Sequence, residues 1–330
     1  MPAMRSLTDR WTLGGIEIAN RLVLAPLAGI GNWFVRLQAK RHGAGLVVSE
    51  MVSSFGVHHC NDRTCREMLR LHPDEHPVSV QLFGHDPDVM RSAAARVARA
   101  GADLIDLNMG CPVPKVCKTG AGAALLGDPD RAVALALAAR EGGGLPVTVK
   151  LRSGRGPADR DGVEVARRLV GDAGVAGLTL HPRHASQQHR GRPDYELAHE
   201  LVAELDPVPV IVSGGVRTAE AVREALRSTG APAVMLARGS LGNPWLFGQL
   251  LGRRAGPPTR DEVLDELDWV IECAVEHLGA PRAARYLRKF YPWYVDRMGG
   301  GAALRDVLQR SQTVADARAV LAQLRPAAAA

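Results

Sequence analysis

Eight short apolar runs, separated by helical stretches, leave this chain few folds to adopt. They read RLVLAP (21–26), LVVSE (46–50), VSVQLFG (78–84), DLIDLNMG (103–110), VTVKLR (147–152), GLTLHPR (177–183), PVIVSGG (209–215) and AVMLARG (233–239). Between most of them lie segments such as DPDVMRSAAARVARAGA, DPDRAVALALAAREGG and TAEAVREALRSTGA. In each, Asp or Thr opens an apolar stripe of helical spacing and Gly closes it. Strands that are apolar without alternation are buried on both faces, as in a parallel sheet covered by helices. Eight such units predict an α/β fold, the (β/α)8 TIM barrel, over residues 1–251. An open doubly wound sheet fits less well, because no G-x-G-x-x-G follows the first strand.

Composition narrows the setting. Of 330 residues, 46% are hydrophobic, ample for a core. No apolar stretch is long enough to span a bilayer, and MPAMRSLTDRW lacks an apolar signal region. A cytoplasmic protein is therefore expected, with no membrane partner and no obligate protein partner evident. Five cysteines, an odd number, suggest reduced thiols rather than a disulfide framework. The formal charge of +6 permits a polyanionic partner without requiring one. HHCNDRTC (58–65) lacks the second Cys-x-x-Cys pair of a zinc ribbon, so no metal is expected.

The strand ends carry the chemistry. In barrel enzymes the site lies at the C-terminal ends of the strands. Here those ends hold Pro26, Glu50, Gln81, Asn108 with Cys111, Lys150, His181 with Arg183, the triplet Ser213, Gly214 and Gly215, and Arg238 with Gly239. Lys150 directly continues an apolar run, and a buried Lys needs a partner or a role. SGG before the helical RTAEAV offers unobstructed N–H groups at a helix N-terminus, and ARG adds a guanidinium. Both features, after strands seven and eight, imply a phosphorylated ligand. Cys111 ends a buried strand in a Gly- and Pro-rich loop, where a thiol either packs or faces a ligand.

Beyond the barrel, GRRAGPPTRDE breaks the pattern and marks a linker at 252–260. Residues 261–330 read as a small antiparallel helical bundle with an Ala-rich end prone to fray. Its four helical stretches begin DEVLDELDW, PRAARYLRKFYPWY, GAALRDVL and TVADARAV. The second is basic and aromatic. Arg285, Arg288 and Lys289 suit an RNA backbone, whereas Tyr286, Phe290 and Trp293 have the helical spacing of core residues.

Together these stretches closely resemble the tRNA-dihydrouridine synthase family, particularly its bacterial B-type members. LAPLAGI, SEM, VQLFG, DLNMGCP, KTGAGAALL, VTVKLR, LHPR, VSGGV and ARGSLGNPW carry the resemblance over nearly the whole chain. It implies an FMN enzyme that reduces tRNA uridines to dihydrouridine and is recharged by NADPH. Pro26, Leu27 and Ala28 would lie against the flavin, with Gln81 and Lys150 bonding its ring and His181 nearby. Ser213, Gly214, Gly215, Ala237 and Arg238 would hold its phosphate. Cys111 matches the proton donor, with Cys117 the rival thiol. Asn108, Arg183 and His184 would meet the substrate, and the bundle would grip tRNA. Two alternatives are an FMN dehydrogenase of a free small molecule and an inactive tRNA-binding protein.

Overall fold

In the computed structural model, which describes residues 6–60 and 64–325, all eight runs form strands. They are β1 (Leu22–Leu24), β2 (Leu46–Val48), β3 (Val78–Phe83), β4 (Leu104–Met109), β5 (Val147–Arg152), β6 (Gly177–His181), β7 (Val210–Ser213) and β8 (Val234–Leu236). Every adjacent pair is parallel. The order β2-β1-β8-β7-β6-β5-β4-β3 closes through β2 against β3, giving the expected eight-stranded barrel. Helices return the chain between strands: α1 (Trp33–Arg41), α2 (Pro87–Arg99), α3 (Pro129–Gly143), α4 (Asp161–Gly171), α5 (Tyr195–Glu204) and α6 (Ala219–Thr229). The Asp and Thr openers cap α2, α3 and α6: Asp86 accepts from the Val89 N–H at 3.0 Å, Asp128 from the Arg131 N–H at 3.0 Å and Thr218 from the Ala221 N–H at 3.2 Å. Gly144 and Gly230 close α3 and α6 in the left-handed conformation.

Strand alternation sorts side chains between two cores. Val80, Ile105, Leu107, Val149 and Leu180 pack outward against the helices. Val23, Leu46, Leu104, Ile211 and Met235 point inward and close the end of the barrel where the strands begin. A hairpin not expected from the sequence, Trp11–Leu13 against Ile16–Ile18, adds buried Leu13 and Ile18 to that plug. Its signal was Gly14-Gly15 between two short runs with alternating exposure, a two-residue hairpin turn.

After β2 the chain forms a two-residue strand (Val52–Ser53) and short helical segments at Ser54–His58, Thr64–Met68 and Pro73–Glu75 instead of one long covering helix, and an ion pair secures them. Arg36 of α1 is fully buried; its Nε lies 2.7 Å and its Nη2 3.0 Å from the Glu75 carboxylate. The same guanidinium donates to the Gly31 and Arg70 carbonyls, each at 2.8 Å. Residues 61–63 of the HHCNDRTC stretch lie outside the described residues, and the Cys60 and Cys65 sulfur atoms lie 3.0 Å apart.

The chain divides into two compact units after Gly239, earlier than the expected boundary at 251. The reason is local: a Cβ on Gly242 would meet the Trp293 Cβ at 2.5 Å, so the segment after β8 packs with the tail. This unit holds α7 (Trp245–Leu250), α8 (Arg260–Leu278), α9 (Ala280–Leu287), α10 (Tyr291–Arg297), α11 (Ala302–Arg310) and α12 (Val314–Ala322). The expected linker is irregular, pinned where Arg254 grips Glu262 at 2.6 and 2.8 Å. The basic, aromatic stretch is two helices rather than one. Pro292, without an N–H to give the preceding turn, sits at the start of α10 instead of inside a helix. The Ala-rich end, 326–330, and residues 1–5 lie outside the described residues. No helix among the described residues is long and apolar enough to cross a membrane.

Removing the cation of the Arg36–Glu75 pair strands a buried carboxylate. Arg36→Met should cost about 3–5 kcal/mol in urea unfolding, with an unchanged m-value. A cost below about 1 kcal/mol would show that the pair does not secure the loop.

Candidate active site

Parallel register and alternation together place one row of polar side chains inside the barrel. Gln81 pairs in register with Asp106, Asp106 with Thr148, and Asn108 with Lys150. All four strand residues of β4 and β5 in this set point inward, two apart along their strands. Asp106 is 2% exposed; Gln81 Nε2 donates to its Oδ2 and Thr148 Oγ1 to its Oδ1, both at 2.6 Å. Gln81 Oε1 accepts from Asn108 Nδ2 at 2.8 Å. Asn108 Oδ1 then accepts from the backbone N–H of Cys111 at 2.9 Å and of Gly110 at 3.2 Å.

Above this row the barrel opens into a cavity of about 420 Å³. Of the residues expected there, Pro26, Ala28, Gln81, Asn108, Cys111, Lys150, His181, Ser213, Gly214, Gly215, Ala237 and Arg238 line it. Leu27 does not: it is buried behind the wall, its carbonyl accepting from Ile30 and Gly31. Arg183 lies just outside, donating to His181 Nε2 at 3.0 Å and to the Gly191 carbonyl at 2.8 Å. His184 also stands outside the lining, where its Nδ1 caps a short turn by accepting from the Gln187 N–H at 3.1 Å. Met51, Arg152, Gln188 and Arg217, none singled out in the sequence, also line the cavity, as does His189. Arg152, buried at the end of β5, donates to the Gly110 and Gln188 carbonyls at 2.8 Å, tying the Cys111 loop to the loop after β6.

Cys111 is half-buried, and Gly122 explains its loop: a Cβ there would lie 2.6 Å from the Cys111 carbonyl oxygen. That carbonyl accepts from the Ala123 N–H at 3.0 Å. It also accepts from the Cys117 thiol at 3.3 Å, so the rival thiol is turned to the backbone and does not line the cavity. Burial raises the Cys111 thiol above its ordinary value, with Arg152 pulling the other way.

The cavity is electropositive. Lys150, Arg152, Arg217 and Arg238 line it, and no Asp or Glu does among the described residues. Burial, reinforced by Arg152, lowers the Lys150 ammonium to about 8 despite the nearby Asp106. It donates to Ser213 Oγ at 3.2 Å. Burial and the cations Lys150, Arg152 and Arg183 hold His181 far below its ordinary value, hence neutral. Because Arg183 donates to Nε2, the His181 proton sits on Nδ1. Arg183 Nε is buried and unpaired. Gly214 and Gly215 both have φ near +90°, and a Cβ on Gly214 would collide with the His181 ring. Cations without a lining carboxylate and bare backbone are the donor set of an anion cradle. This set fits a phosphate. A larger cavity at the barrel's other end lacks such a set: its buried cation, Arg21, is committed to the Ala231 and Pro232 carbonyls.

In the helical unit, Arg285 and Lys289 are exposed, Lys289 lying over the Tyr286 ring at 5.0 Å. Arg288 is turned inward, donating to the Ser311 carbonyl at 3.0 Å. Phe290 is core, as its spacing suggested, with Tyr286 and Trp293 packed against it.

Residues 23–329 match the family described as “Dihydrouridine synthase (Dus)”. tRNA-dihydrouridine synthase B of Xanthomonas axonopodis pv. citri is 35% identical over 311 residues, covering 91% of each chain. A probable tRNA-dihydrouridine synthase of Rhizobium leguminosarum bv. phaseoli is 38% identical over 289 residues, 87% of this chain and 89% of that one. Among solved structures, morphinone reductase in complex with tetrahydroNAD superposes with a TM-score of 0.57 at 16% identity, over 78% of this chain and 94% of that chain. A 2-naphthoyl-CoA reductase complex gives 0.60 at 13% identity, over 78% of this chain and 53% of that one. These structural likenesses are of fold alone.

The depressed Lys150 implies a stability cost with a defined pH window. Its ammonium is held in the folded state at about 8 against an ordinary 10.5, so the cost is full below pH 8 and fades between 8 and 10.5. Lys150→Met should therefore raise the Tm of the ligand-free protein at pH 7 by about 5 °C, a gap that narrows toward pH 10.5. A lower Tm in the variant would contradict this electrostatic reading.

Proposed function

The chain belongs to the dihydrouridine synthase family, and on that premise we propose that it reduces specific uridines of tRNA to 5,6-dihydrouridine, with FMN as cofactor and NADPH as reductant. The observation that carries this reading is the placement of Cys111. Cys111 lines the same cavity as Lys150, the 213–215 turn and Arg238.

When bound, FMN supplies a hydride to C6 of the uracil ring. The protein's own residues do the rest. Ser213, the bare amides of Gly214 and Gly215, Ala237 and Arg238 hold the phosphate, joined by Arg217. Lys150, still largely cationic at pH 7, offers positive charge to the flavin ring, and Gln81 hydrogen-bonds it. Pro26 and Ala28 give the ring an apolar wall. Asn108 meets the uracil. Cys111 delivers a proton to C5, the atom left electron-rich once C6 has gained hydride. Its raised pKa supports that role, because a thiol kept protonated near neutrality is an acid in waiting and a poor nucleophile. Exposed Arg285 and Lys289 supply backbone contacts to the tRNA, while Arg288 and His184 have structural duties and Arg183 acts through His181.

The test is mass spectrometry of tRNA from cells lacking such enzymes, incubated with the protein and NADPH. Defined uridines should gain two hydrogens. Cys111→Ala should lower that rate by at least about 100-fold with FMN binding retained. A wild-type protein that is flavin-loaded and reducible but leaves tRNA unchanged would instead indicate a small-molecule dehydrogenase.

A further inference from the structure

Four side chains under the cavity form a hydrogen-bond chain whose two ends agree about direction. At the upper end stand the backbone N–H groups of Gly110 and Cys111, which can only donate. At the lower end stands Asp106, which as a carboxylate can only accept. Between them, Gln81 and Asn108 carry primary amides that face either way unless their neighbours decide. With Asp106 accepting, Gln81 must turn Nε2 down and Oε1 up. Asn108 must then turn Nδ2 to Gln81 and Oδ1 to the Cys111 loop. Thr148 supplies the second donor that a buried carboxylate needs.

We propose that Asp106 is a positioning residue: its acceptor-only carboxylate fixes the orientation of the Gln81 and Asn108 amides and, through Asn108, the backbone at Cys111. The geometry stands on bonds of 2.6 to 2.9 Å across two successive inward-facing layers. Burial raises the Asp106 carboxyl above its ordinary value, while the hydrogen bonds from Gln81 and Thr148 and the charge of Lys150 on the neighbouring strand favour the ionised, acceptor-only form. An amide at position 106 would satisfy Thr148 and Gln81 equally well in the reversed sense. In that sense Asn108 would aim its NH2 group at two backbone donors. The importance of Cys111 rests on the proposed reaction, but the position of its loop does not.

The experiment reads the thiol without tRNA or flavin. Alkylation of Cys111 by iodoacetamide is followed at one pH, with the Cys111 and Cys117 peptides resolved by mass spectrometry. Asp106→Asn should alkylate about fivefold faster at Cys111, the change expected when one ordinary hydrogen bond is lost. The double variant Asp106→Asn/Asn108→Asp reverses the whole chain with every bond made: the amide at 106 gives to Gln81, which gives to the carboxylate at 108, which takes the Cys111 N–H. It should return the rate to wild type. A merely structural role for Asp106 gives no such rescue. The proposal is overturned by an unchanged rate in folded Asp106→Asn, or by a double variant that either fails to fold or fails to restore the rate. Should the single variant not fold, a folded double variant with the wild-type rate still supports it. Rescue without any dihydrouridine formation by wild type would uphold the role of Asp106 while sinking the proposed reaction.

Discussion

Four cations face one cavity with no carboxylate among its lining residues, and Asp106 sits beneath them as the nearby buried counter-charge. Most of the mouth follows from that imbalance. Burial, with neighbouring like charges adding to it, is why Lys150, Arg152, Arg183, Arg238 and the imidazoles of His181 and His189 all lie below their ordinary values. A protein tolerates such crowding where an anion completes the set. The anion proposed for this cradle is the FMN phosphate, and the free energy lost to crowding in the ligand-free protein is recovered on binding.

The barrel makes this arrangement stiff. Closure leaves no free sheet edge, and the parallel register locks Gln81, Asp106 and Thr148 side by side, with Asn108 and Lys150 in the next layer. Loops then borrow that stiffness through a few strong donors. Arg152 fastens the Cys111 loop and the loop after β6 to β5, and Arg36 fastens the stretch after β2. Each uses a guanidinium to bond backbone carbonyls of the loops it holds.

The eight strands and the residues at their ends were legible in the sequence because burial on both faces forces apolar runs, and the end of a run marks where ligand contacts begin. Asp106 and Arg152 were not, although both lie within quoted motifs. A carboxylate inside DLIDLNMG looks like an interruption until the register shows which neighbours it meets. His184 and Arg288 show what residue type alone does not reveal: the sequence suggested ligand contacts for both, and in the structure one caps a turn and the other donates to the Ser311 carbonyl. The N-terminal hairpin was missed because three-residue strands carry almost no periodic signal. The break before α10 was missed because the apolar spacing runs on through Pro292, so nothing but the proline itself marks it.

The measurement that bears most directly on the phosphate cradle is a comparison of FMN with riboflavin, which differ only by the phosphate. The ligand-free protein would be titrated with each and binding followed by quenching of flavin fluorescence. If the 213–215 turn, Arg217 and Arg238 form that cradle, FMN should bind at least about 100-fold more tightly, the equivalent of one or two charge-assisted hydrogen bonds. Equal affinities would contradict it, leaving the positive charge of the mouth without its anion.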